Sequence, residues 1–136
     1  MARRIPLYEY LYLFLVGGLL YSLLEILFRG HTHWTMTLLG GLSGMVLYWI
    51  SADRACPIFF QALAGAMLIT ALEMVTGVFA NLIFGWMVWD YSGMPLHLFG
   101  QICLPFTLLW MLLSFPALWL CRKIRTRFAL GTGIIP

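Results

Sequence analysis

The chain has 136 residues, 62% of them apolar and 10% charged, with a net charge of +3. A soluble domain is roughly 45–50% apolar and about 25% charged, and a chain this short cannot bury the excess, so an ordinary soluble globule is excluded. The charge gathers at the ends, at Arg3 and Arg4 and then at Arg122, Lys123, Arg125 and Arg127, which reads as a topology signal and excludes nucleic acid as a partner.

The apolar runs are continuous rather than alternating, which argues for helices and against a β-barrel. A helix needs about 20 mostly apolar residues to cross a bilayer. The sequence predicts an all-α membrane protein, a four-transmembrane-helix bundle whose spans cover about 7–28, 34–50, 57–86 and 98–121. Residues 122–136 read as a disordered basic cytoplasmic tail.

The first span carries Gly18, Ser22, Glu25 and Arg29 at steps of four, three and four. This spacing places them on one helix face, a small and polar seam. Glu25 and Arg29 form an i,i+4 pair in the favourable order. Glu9 interrupts the approach to this stretch and no small-x-small cleavage site follows it, so the span is expected to be uncleaved.

A short turn, Gly30-His31-Thr32-His33, leads to the second span. Its seam is Thr37, Gly41, Gly44 and Tyr48, with Gly40 beside it. Small residues of this kind let helix backbones approach closely in lipid. The loop Ser51-Ala52-Asp53-Arg54 follows, and Pro57 opens the third span, where its missing N–H matters little. The third seam reads Ala66, Thr70, Glu73, Gly77 and Ala80, with Asn81 adjacent. This span is long for one crossing, so it tilts, projects past the lipid or breaks near Gly85.

Trp86, Trp89 and Tyr91 mark an interfacial aromatic belt in the connection 88–97. In the fourth span, Pro105 and Pro116 predict kinks. Cys56, Cys103 and Cys121 stand apart, with no CxxC spacing, and read as small packing residues.

Four spans put both termini on one side, and their basic residues place that side in the cytoplasm. Glu25 then lies about 27 Å along its helix from Leu7, and Glu73 about 24 Å from Pro57, at 1.5 Å per residue. Both carboxylates fall in the outer half of the bilayer, level with Asp90, His97 and Gln101. The candidate binding cluster is therefore Glu25, Arg29, Glu73, Asp90, His97 and Gln101. An ionisable group at this depth costs at least ~2.5–3.5 kcal/mol and normally has a partner. The cluster is read as a polar cavity open to the outside, as a network holding the helices in register, or as a contact with a missing protein partner.

His31, His33 and His97 are weak metal candidates, since H-x-H spacing alone has little specificity; no metal or cofactor is expected. Ser92 between Asp90 and His97 invites a catalytic triad, but the G-x-S-x-G elbow is missing, and a turn into Gly93-Met94-Pro95 is the plainer reading. Gly131-Thr132-Gly133 lacks the lysine of a Walker A loop.

Three blocks of sequence together resemble a known family. They are Arg29-Gly30-His31-Thr32-His33-Trp34-Thr35-Met36 with Leu38-Leu39-Gly40-Gly41; Thr70-Ala71-Leu72-Glu73 with Thr76-Gly77 and Asn81; and Trp89-Asp90-Tyr91-Ser92 followed by Gly100-Gln101-Ile102-Cys103-Leu104-Pro105 and Trp110. In this order they resemble the CmpB-like, ABC-transporter type IV family of small bacterial integral membrane proteins, over roughly residues 10–120. The resemblance implies a permease-like, transport-associated component of the bacterial plasma membrane and carries over no catalytic residues. Expected partners are the lipid bilayer and a second copy or other membrane or ATPase subunits. Two other classes stay open: a membrane enzyme acting on a lipid or lipid-linked substrate, and a small scaffold or regulatory subunit.

Overall fold

The computed structural model of the chain describes residues 5–131, and its long elements are all helical. Helix α1 spans Leu7–Arg29, α2 Trp34–Ile50, α3 Ile58–Gly77 and α4 Leu104–Gly131. Three stretches, Leu7–Arg29, Ile58–Ile83 and Leu104–Gly131, are long and apolar enough to cross a membrane, and α2 is a shorter apolar helix. At 1.5 Å per residue its 17 residues reach about 25 Å, just under a hydrocarbon core of about 30 Å.

The exterior is apolar and much of the buried surface is polar. Leu27 and Phe28 are 78% and 85% exposed, and Leu15, Leu19, Phe59, Phe60, Met67 and Leu112 also face outward. Glu9, Ser51, Gln61, Glu73 and Ser114 are fully buried. A soluble protein almost never buries carboxylates while exposing a continuous apolar coat. In a membrane protein the arrangement is the expected one, because lipid accepts the leucines and the bundle interior takes the polar groups.

The seams do what their spacing predicts. α1 packs on α2, α3 on α4, and α2 lies against both α3 and α4. The α1–α2 contact is close because glycines meet: a Cβ on Gly17 would stand 2.5 Å from the Gly40 carbonyl oxygen, and one on Gly44 2.7 Å from the Leu13 carbonyl oxygen. Ser22 and Thr37 hydrogen-bond across the same contact at 2.6 Å. Thr70 and Thr107 do so between α3 and α4 at 2.9 Å. The apolar core gathers Leu13, Leu47, Tyr48, Ala62, Ile69, Leu118 and Cys121.

The predicted boundaries shift at three places. The third span ends at Ile83, short of residue 86 and in line with the break near Gly85 that its length allows. Its last turn, Val78–Ile83, is a π-helix, and Gly85 leaves it with φ of 68°. The fourth span does not begin at Leu98. Residues 97–103 form a small antiparallel ladder instead, His97–Leu98 against Ile102–Cys103. Phe99 and Gly100 both take positive φ in its turn, and α4 starts at Leu104. Pro105 consequently sits in a first turn, where it breaks no helical hydrogen bond, while Pro116 lies inside the helix.

At the far end α4 runs on past Cys121 to Gly131, so residues 122–131 are helical. The expectations resting on Arg3, Arg4 and residues 132–136 lie outside the described residues. Among the described cysteines, Cys103 and Cys121 are buried and Cys56 is half-buried, all with free thiols.

Candidate functional site

Four helix ends meet where α1 stops and α2 starts. Gly30 takes φ of 79° and returns its N–H to the Ile26 carbonyl, closing α1; only glycine adopts this conformation without strain. His33 then caps α2: its Nδ1 accepts from the Thr35 N–H at 3.3 Å and lies 2.7 Å from the Thr35 hydroxyl. The C-terminal part of α3 and the first turns of α4 complete this end.

Glu73 sits inside it, 1% exposed. Trp110, two turns into α4, donates its indole N–H to Glu73 Oε2 at 3.1 Å. Tyr21 packs on the Trp110 ring with centroids 5.7 Å apart, and Tyr91 stacks on Phe106 at 4.8 Å. The Tyr91 phenol is pushed up by burial, and the nearby Glu73, Cys103 and Glu25 side chains add to this while Arg29 opposes it. Tyr91 therefore sits among both carboxylates and the guanidinium.

Arg29 ties this group to the surface. Its Nη1 donates to Glu25 Oε2 at 2.8 Å, and its Nη2 donates to the Val88 carbonyl at 2.9 Å. The result is a polar track from the buried Glu73, past Tyr91, to the partly exposed Glu25–Arg29 pair.

The remaining candidates occupy a second, neighbouring place. Asp90, His97 and Gln101 line a pocket of about 180 Å³ with Asn81, Trp89 and Ser92. Asn81 donates to Gln101 Oε1 at 2.8 Å and accepts from the Val88 N–H at 2.7 Å. Trp89 donates to the Gln101 carbonyl at 3.0 Å. Asn81 lies in the π-turn Val78–Ile83 that continues α3. Asp90 is exposed and its Oδ1 accepts from the Ser92 N–H at 2.9 Å. That bond holds its carboxyl below the usual carboxylate range, with His97 contributing. Asp90 and Ser92 thus form a capped turn rather than two members of a triad.

Trp89 departs from the belt reading. It is buried against Met36 and Leu39, whereas Trp86 is exposed and meets Trp34 at 5.6 Å. The weak metal candidates are also apart. His31 and His33 line a pocket with Arg29, while His97 Nδ1 accepts from the Gly100 N–H. Among the described residues no three His, Cys, Asp or Glu side chains gather into a metal-binding group.

Sequence reasoning missed the polar cluster at the opposite end. Glu9 is buried and accepts from the Tyr48 hydroxyl. Arg125, 6% exposed, lies over the Tyr48 ring and donates to the Tyr48 carbonyl and to Ser51 Oγ at 3.2 Å. Gln61 donates to the Ile50 and Asp53 carbonyls and accepts from Arg122 at 2.8 Å. A signal was present: Glu9 and Gln61 are lone polar residues near the starts of two apolar helices, and Arg122 and Arg125 lie three apart.

A family model described as Putative ABC-transporter type IV matches residues 18–132. No curated protein and no solved structure matches the chain. The chain belongs to that family.

Proposed function

We propose that this family member is a transport-associated component of the bacterial plasma membrane, with a polar site facing outward between its helices. The observation that carries the reading is Glu73, a buried carboxylate in an apolar helix, hydrogen-bonded by Trp110 and adjoining the Glu25–Arg29 pair at the rim. Such a group is expensive to keep in hydrocarbon and rare there, and substrate and ion pathways are among the places it marks.

In this reading all four helices cross the bilayer and both termini are cytoplasmic, in line with the basic residues 122–127 at the end of α4. Glu73 and Glu25 bind a cationic or hydrogen-bonding group, Arg29 balances one carboxylate, and Asp90, His97 and Gln101 form the rim. Four helices are few to enclose a path. The chain would work with a second copy or with other membrane or ATPase subunits.

The test is a deletion strain complemented with Glu73→Gln. The variant is expected to accumulate as wild type does and to leave the deletion phenotype uncorrected. Full complementation by Glu73→Gln would reduce Glu73 to a packing role. Labelling of single cysteines placed at positions 31, 53 and 93 from either side of the membrane tests the orientation, with 31 and 93 expected outside and 53 inside.

A further inference from the structure

Where α1 hands over to α2, the chain leaves a pocket of about 160 Å³ lined by Arg29, His31, Thr32 and His33, facing Trp86 and Val88. Its polar side chains are donors or can become donors, and no carboxylate is among its lining residues. A guanidinium carries five N–H groups. Arg29 commits one to Glu25 and one to the Val88 carbonyl, which fixes the plane of the group and leaves three N–H bonds without a partner among the described residues. Thr35 engages His33 at Nδ1, which leaves Nε2 as the ring nitrogen available to a ligand.

Thr32 lines the same pocket. Its Oγ1 is shut off from solvent and has no hydrogen-bond partner among the described residues. It meets a ligand once its χ1 turns the hydroxyl into the pocket, and a buried hydroxyl without a partner gains a hydrogen bond by that turn. Beside the pocket stand the aromatic rings of Trp34, Trp86 and Phe84, with His33 and Trp34 both 5.6–5.7 Å from Trp86 and Phe84 stacked on Trp86 at 4.9 Å. Trp34, Phe84 and Trp86 are exposed, as side chains at a membrane–water interface are.

We infer that this pocket binds a phosphate oxyanion, held by Arg29, Thr32 and the two histidines, at the level where phospholipid headgroups lie. The planar fork of arginine suits phosphate oxygens, and the neighbouring aromatic rings suit the glycerol and upper acyl region of a lipid. This assignment requires the membrane placement of the chain but not the transport reading. It uses Arg29 without using Glu73.

The test is native mass spectrometry of the full chain in nonionic detergent with phosphatidylglycerol or with diacylglycerol of the same acyl chains, which lacks the phosphate. Phosphatidylglycerol is expected to stay bound and diacylglycerol to be lost. Thr32→Val keeps the shape and leaves the Arg29 contacts intact. It is expected to weaken retention about tenfold, the size of one hydrogen bond to a charged group. Arg29→Gln is expected to weaken it further, and unfolding temperatures recorded alongside separate lost binding from lost fold. Displacement of the lipid by free glycerol phosphate would assign the oxyanion to a soluble ligand, and resistance to it would assign it to the lipid; both support the site. Equal retention of the two lipids, or unchanged retention in folded Thr32→Val, would overturn the proposal.

Discussion

Trp110 of α4 donates its indole N–H to the carboxylate of Glu73 on α3 at 3.1 Å, inside the bundle. Glutamine at 73 keeps an oxygen acceptor of the same reach, whereas phenylalanine at 110 takes the indole donor away from the buried carboxylate. Glu73→Gln is therefore expected to unfold within about 1 kcal/mol of wild type, and Trp110→Phe to lose about 1–3 kcal/mol, the range for leaving a buried polar group unsatisfied. Thermal unfolding in detergent compares the two. If Trp110→Phe matched wild type, the bond would not be holding α3 to α4.

The α1–α2 contact depends on missing side chains. A Cβ at Gly17 would lie 2.5 Å from the Gly40 carbonyl oxygen, which is backbone and cannot swing away. Gly17→Ala is expected to destabilise the protein by about 1–3 kcal/mol through overpacking. Gly93 meets nothing within 4 Å, so Gly93→Ala is expected to stay within about 0.5 kcal/mol. The same unfolding measurement, run on both, separates a tight helix contact from a general effect of losing glycine.

The seams were legible because helical spacing alone decides which residues share a face. Gly18, Ser22, Glu25 and Arg29 needed only the 3.6-residue period, and the structure puts Ser22 on Thr37 and Arg29 on Glu25. Of the segment 84–103 the connection 88–97 was legible, but its full extent was not, because Phe84, Met87, Leu96, Leu98 and Phe99 are as apolar as a span. Its shape comes from positive φ at Met87, Leu96 and Phe99 and from side-chain bonds to Asn81 and Gln101, which no periodicity reveals. The candidate set Glu25, Arg29, Glu73, Asp90, His97 and Gln101 was drawn from depth, and depth does not resolve position around the bundle. Glu73 accordingly sits with Tyr21 and Tyr91, while Asp90, His97 and Gln101 share a separate pocket.

Asn81 fastens this segment to α3. It donates to Gln101 and accepts from the Val88 N–H, so Asn81→Ala leaves two groups unsatisfied. Hydrogen exchange is expected to rise across 84–103 and to stay unchanged in α1. Gln101→Ala should loosen the same amides, and the double variant little more than either single one, because both remove one shared bond. Exchange confined to residues next to position 81 would mean that the segment holds itself.

Asp90 gives a pH prediction of definite sign. Its folded-state carboxyl is held below the usual value, first by the Ser92 N–H. A lowered folded value contributes stability that is present above the unfolded value, about 3.9, and lost as pH falls through the folded one. The Ser92 amide resonance is therefore expected to stay constant from about pH 5 to 8 and to move only below the ordinary aspartate range. Asp90→Asn keeps an oxygen acceptor for the turn and should abolish that movement. A movement that persisted in Asp90→Asn would assign it to another group.

Arg125 tests whether the last helical turns belong to the fold. It is buried, lies over the Tyr48 ring and donates to the Tyr48 carbonyl and the Ser51 hydroxyl. Tyr48 in turn donates to the buried Glu9, so α1, α2 and α4 meet through one arginine. Arg125→Gln is expected to cost about 2–4 kcal/mol, since hydrogen bonds to charged groups contribute about 1.5–3 kcal/mol each and buried acceptors are left behind. Lys123 projects beside Trp119 as a single cation–π contact, and Lys123→Gln is expected to cost no more than about 1 kcal/mol. Both variants remove one positive charge from the same stretch of α4. A topology signal read only as charge would respond equally to the two; a folded cluster responds to Arg125 alone. Unfolding temperatures of the two variants in detergent, with side-specific cysteine labelling in membranes, decide between them.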